Sequence, residues 1–141
     1  MAEAQGLTGG CTCGAVRYRL EGRVLGVAAC HCTNCRRQSG SAYSVNMVVK
    51  AADMTVEGEL SAYADTATES GKPVQRQFCG QCGSPIRSLA EAMPGLAVVK
   101  VGTLDAPEAF APKVHVWTSS ALPWANIPEG ALCFDKSPPT G

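Results

Sequence analysis

Cys30-His31-Cys32-Thr33-Asn34-Cys35 places three thiols within six residues, a C-x-C running straight into a C-x-x-C. An apolar run, Val24 to Ala29, leads into it, and a basic and polar run, Arg36-Arg37-Gln38-Ser39-Gly40, leads out. Thiols packed this closely suit a metal clamp better than a set of disulfides. They are also one ligand short of a closed tetrahedral site.

Working outward, seven of the eight cysteines fall into three clusters: Cys11/Cys13, Cys30/Cys32/Cys35 and Cys79/Cys82, with Cys133 alone. Cys79-Gly80-Gln81-Cys82-Gly83 has the form of a zinc knuckle, in which Gly83 admits the positive φ that brings backbone N–H groups toward the sulfurs. One knuckle supplies two ligands and needs a second pair. Cys11 and Cys13 provide it if the chain is extended there, because residues i and i+2 of a strand share a face. Cys11, Cys13, Cys79 and Cys82 then close a structural site across about 65 residues. Cys30, Cys32 and Cys35 are left with an open fourth position, the pattern of a catalytic zinc. Closure by His31, His115 or Cys133 would make this a second structural site instead. In an extended C-x-C, His31 points to the face opposite its neighbours. Cys133 reads as a partly buried small apolar residue.

The rest of the chain is read as one domain, residues 1–141, in a mainly β fold of antiparallel strands with short helical turns. Residues 1–10 read as a loose leader. Val16, Tyr18 and Leu20 alternate with Arg17, Arg19 and Glu21 as a half-buried strand does. Val24 to Ala29 reads as a strand delivering Cys30, and a short helix is expected between Thr33 and Gly40, stopped by the glycine. Tyr43, Val45, Met47 and Val49 mark the next strand. Further strands are expected near Met54–Glu57, Leu60–Ala64, Val74–Phe78, Ser84–Leu89, Leu96–Val101 and Val114–Trp117. The proline-rich residues 119–141 are expected to be irregular.

Twelve basic residues balance twelve acidic ones, which leaves no general electrostatic reason to bind nucleic acid. Hydrophobic residues at 45% and charged residues at 17% indicate a packed domain and not a disordered chain. No apolar run approaches the roughly 18 residues of a membrane span, and no signal peptide is visible. A cytoplasmic, reducing setting follows, in which clustered cysteines are metal ligands.

Gly10-Cys11-Thr12-Cys13-Gly14-Ala15-Val16-Arg17-Tyr18, Cys30 to Arg36 and Arg76 to Ser84 together resemble the glutathione-dependent formaldehyde-activating enzyme family, which also includes the centromere protein V-like domain. Lys113-Val114-His115-Val116-Trp117 and Pro123-Trp124 resemble its closing segment, so the likeness spans about residues 8–135. The resemblance implies an Mss4-like (β-tent) domain with two zinc ions, one structural on Cys11, Cys13, Cys79 and Cys82, one catalytic on Cys30, Cys32 and Cys35. It implies a carbon–sulfur lyase-type activity that joins glutathione or a related thiol to a small aldehyde. Arg36 and Arg37 are then candidates for substrate carboxylates, and His115, Trp117 and Trp124 for the pocket lining. A non-catalytic zinc-stabilised interaction module, a nucleic-acid binder and a thiol redox enzyme are the rival readings.

Overall fold

The computed structural model describes residues 2–138. Eleven strands and one α-helix are present among them: β1 (Leu7–Gly10), β2 (Arg17–Leu20), β3 (Gly26–Cys30), α1 (Thr33–Ser39), β4 (Ser44–Lys50), β5 (Met54–Glu57), β6 (Leu60–Asp65), β7 (Val74–Cys79), β8 (Pro85–Ala90), β9 (Leu96–Lys100), β10 (Val114–Val116) and β11 (Leu132–Cys133). They form a three-stranded sheet, β1-β2-β5, and an eight-stranded sheet, β11-β10-β3-β4-β9-β8-β7-β6. The fold is mainly β, as the alternating apolar pattern requires. Pairing is antiparallel except at one edge, where β10 runs parallel to both β3 and β11. A long connection from β9 brings the chain back to that edge in the same direction as β3, which alternation within a strand does not reveal.

Among the described residues, 2–10 are not the expected loose leader. Leu7–Gly10 pairs antiparallel with Arg17–Leu20, and Gly9 bridges Leu104. Gly9 has no side chain because Tyr18 and the Thr103 carbonyl close directly over its Cα. Among its described residues the proline-rich tail is irregular except for the end of a 3-10 turn, Thr118–Ser120, and the two-residue β11; residues 139–141 lie outside the described residues.

The core lies between the two sheets. Val16, Tyr18 and Leu20 bury one face of the small sheet against Met47, Val49, Ile86, Ala97 and Val99 of the large one. Arg17 and Arg19 face outward, so β2 follows the expected period. In β4, Met47 and Val49 enter this core while Ser44 and Asn46 are buried on the other face. A strand with both faces covered is what allows a polar row to be buried beside the thiols.

Candidate metal centres and the cleft beside them

The first thiol cluster joins two turns. Cys11 and Cys13 lie on the turn between β1 and β2, not in an extended strand as expected, with Gly14 N–H bonded to the Cys11 carbonyl at 3.3 Å. Cys79 ends β7, and Cys82 lies on the turn between β7 and β8. There Gly83 takes φ 82°, which lets its N–H reach the Cys79 carbonyl at 2.8 Å. The four sulfurs lie within 4.8 Å of one another. Cys11 to Cys13 is 3.6 Å and Cys13 to Cys79 is 3.8 Å. Sulfurs bound tetrahedrally at about 2.3 Å lie roughly 3.8 Å apart, so these spacings fit a tetrahedral ion such as zinc. Backbone N–H groups already approach the sulfurs, Val16 to Cys11 at 3.2 Å and Gln81 to Cys79 at 3.4 Å. Ser84 bonds Cys82, and its side chain and backbone pull that thiol down to about 5.

The second cluster is Cys30, Cys32 and Cys35, at the end of β3 and the first turn of α1. Cys32 caps the helix, its sulfur accepting the Cys35 N–H at 3.2 Å. No fourth histidine, cysteine, aspartate or glutamate among the described residues joins this group. Cys35 is held below the ordinary thiol range by hydrogen bonds from Cys30 and Cys32, then by Ser44 and the charge of Lys100. Cys30 is pushed the opposite way by its bonds to Cys32 and Cys35. This is the behaviour of three crowded thiols that cannot all ionise without a cation.

His31 and His115 bond each other instead of entering the cluster. His31 Nε2 and His115 Nδ1 are 2.9 Å apart, both rings are buried, and Tyr43 packs on His31 with centroids 4.8 Å apart. Burial lowers both imidazole pKa values, which favours the neutral pair. Cys133 is exposed on the edge strand β11 and joins neither thiol group, so it is neither the expected partly buried residue nor a ligand.

A cleft of about 320 Å³ is lined by Gln38, Ser39, Tyr43, Ser44, Ser84, Lys100 and Thr103. Ser44 stands across from Cys30 of the three-thiol cluster, and Ser84 bonds Cys82 of the four-thiol cluster. Arg36, Arg37, His115, Trp117 and Trp124 do not line it. Arg36 bonds Thr33, Trp117 carries Lys136 over its ring, and Trp124 is 72% exposed. The cations beside Cys35 are instead Arg76 and Lys100, which sequence reading passed over. Their only local signal is a charged residue inside an otherwise strand-like run.

Comparison with known proteins agrees with this architecture. A Rhodobacter sphaeroides crystal structure aligns with a TM-score of 0.57 at 24% identity, covering 70% of this chain and 88% of that one, a likeness of fold. A Halomonas elongata protein named for glutathione-dependent formaldehyde activation is 28% identical over 139 residues, 94% of this chain and 88% of its own. The family profile for the glutathione-dependent formaldehyde-activating enzyme matches residues 6–120, and the chain belongs to that family.

Proposed function

We propose that residues 1–141 form one zinc-dependent domain that joins a small thiol, glutathione or a close relative, to a small aldehyde, or runs the reverse. The reaction class is carbon–sulfur lyase chemistry, with formaldehyde and S-hydroxymethylglutathione as the pair the family name suggests. The observation that carries the reading is the three-thiol group, without a fourth protein donor among the described residues, whose Cys30 pairs with Ser44 of a cleft of about 320 Å³. That volume lies at the small end of ligand sites and suits a tripeptide-sized thiol. Eight free cysteines support a reducing compartment such as the cytoplasm as its setting.

In this reading Cys11, Cys13, Cys79 and Cys82 hold one zinc and Cys30, Cys32 and Cys35 hold the second. The second zinc would supply a docking point at which an entering thiol gives up its proton. The cleft's contribution is to hold that sulfur beside the aldehyde carbon, which can supply several of the roughly 7–11 kcal/mol available from orienting two reactants. The S–C bond forms as the C=O π bond opens, and the carbonyl oxygen takes up a proton to replace the one the thiol released. Neither carboxylate nor imidazole lines the cleft among the described residues, so in this reading the proton is exchanged with solvent.

Cobalt substitution tests the reading. Titrating glutathione into the cobalt protein should shift the bands that disappear in the Cys32→Ser variant. Unchanged bands would sink thiol docking and leave the interaction module as the better reading.

A further inference from the structure

One row of buried side chains crosses three strands toward the three-thiol group. Cys30 pairs with Ser44 across β3 and β4, and Asn46 pairs with Lys100 across β4 and β9. Cross-strand partners share a face and so do residues i and i+2, so all four side chains lie on one face of the sheet. Lys100 Nζ donates to Asn46 Oδ1 at 2.8 Å, and Asn46 Nδ2 donates to Ser44 Oγ at 2.9 Å. Ser44 stands directly across from Cys30, which places its hydroxyl at the edge of the three-thiol group.

The direction of the row is forced. An ammonium has only donors, so the amide oxygen of Asn46 must face Lys100 and its nitrogen must face Ser44. Having accepted that bond, Ser44 keeps its own proton to donate toward the thiols across from it. Every dipole therefore points its positive end toward the three-thiol group, an arrangement in which successive bonds reinforce one another.

Lys100 is 7% exposed, and among the described residues it makes no ion pair with a carboxylate. A buried cation held only by a neutral amide is costly unless an anion lies nearby. Arg76, the other cation beside Cys35, is already matched by Asp65 at 2.8 Å. Three thiolates around a divalent ion carry a net charge of −1, and Lys100 is the residue left to balance it.

We propose that Lys100, acting through Asn46 and Ser44, is the charge-balancing positioning residue of the Cys30/Cys32/Cys35 centre and sets how tightly that centre holds a divalent cation. The proposal rests on the metal-centre reading of those three cysteines. Its test uses the full chain loaded with cobalt, the middle-centre signal being the part lost in Cys32→Ser. Outer partners of metal ligands are typically worth about 10–100-fold in affinity. Lys100→Met and Ser44→Ala should each weaken cobalt retention at the middle centre by about that factor against a competing chelator. Each should also move the sulfur-to-cobalt charge-transfer band to lower energy, because sulfur regains electron density. Lys100→Arg should restore most of both. Wild-type affinity and band position in Lys100→Met would overturn the proposal. Should that variant fail to fold, Ser44→Ala decides alone by the same two readouts. A wild-type protein that holds no cobalt at these thiols overturns the metal-centre reading along with the proposal, whereas cobalt held equally by wild type and variants overturns only the proposal.

Discussion

At the scale of single residues, burial decides which ion pair matters. The Arg76–Asp65 pair has side-chain exposures of 11% and 6%, against 47% for both partners of Arg17–Asp105. Exposed pairs contribute little, whereas removing one partner of a buried pair strands a charge. Asp65 also accepts from Asn34 Nδ2 at 3.0 Å, and Arg76 Nη1 donates to Gln38 Oε1 at 3.0 Å. Both amides belong to α1, so the pair anchors the helix that carries Cys35 to β6 and β7. Arg76→Met is therefore expected to cost about 3–5 kcal/mol, because Asp65 is left buried without its cation. Adding Asp65→Asn to that variant should recover part of the loss. Urea unfolding of the single and double variants measures both, and equal losses would show that packing and not charge is at stake.

At the scale of elements, α1 shows how a seven-residue helix is held. A helix this short has no stability of its own in water and depends on its ends and its packing. Cys32 closes the first turn, and Gly40, at φ 66°, closes the last by donating to the Arg36 carbonyl at 2.8 Å. Nothing lies within 4 Å of where a Gly40 Cβ would be, so Gly40→Ala tests the backbone alone. It should cost about 1–2 kcal/mol, read as a lower urea midpoint, and an unchanged midpoint would refute the cap. Both the helix and its glycine stop were legible in the sequence because capping is local chemistry. Most of the strands were legible for the same reason, Val16, Tyr18 and Leu20 being the clearest case. Leu7–Gly10 was not, since a strand ending in two glycines has too few side chains to alternate. Its pairing depends on Tyr18 and Thr103 closing over Gly9, which only the folded chain brings together. The Lys100 row was hidden for a related reason: its partners are 54 residues apart and meet only once β4 and β9 are in register. Along the chain, Lys100 is merely the polar end of an apolar run. The cysteine groups were legible because each pair is local, although the turn that presents Cys11 and Cys13 was not.

At the scale of the molecule, the two thiol groups differ in what they connect. The four-thiol group links the β1–β2 turn of the small sheet to the β7–β8 turn of the large one, with Cys13 and Cys79 separated by 66 residues. Treated as a cross-link, a clamp closing a loop of that length is worth about 4 kcal/mol in chain entropy. The three-thiol group closes only the short span from Cys30 to Cys35, worth roughly half as much by the same reasoning. Metal loss at the first should therefore loosen the whole molecule, and loss at the second should be mainly local. Cys13 is exposed, so Cys13→Ser removes a ligand without opening a cavity. That variant should lose one of two bound metals and lower Tm by roughly 8–16 °C, the shift expected for about 4 kcal/mol in a chain of this size. Cys32→Ser should also lose one metal, yet fall by only about half of that and keep its near-ultraviolet circular dichroism. Metal analysis with paired melting curves separates the cases. If Cys32→Ser is the variant that unfolds, the three-thiol group is the structural clamp, and the case for chemistry at its fourth position fails with it.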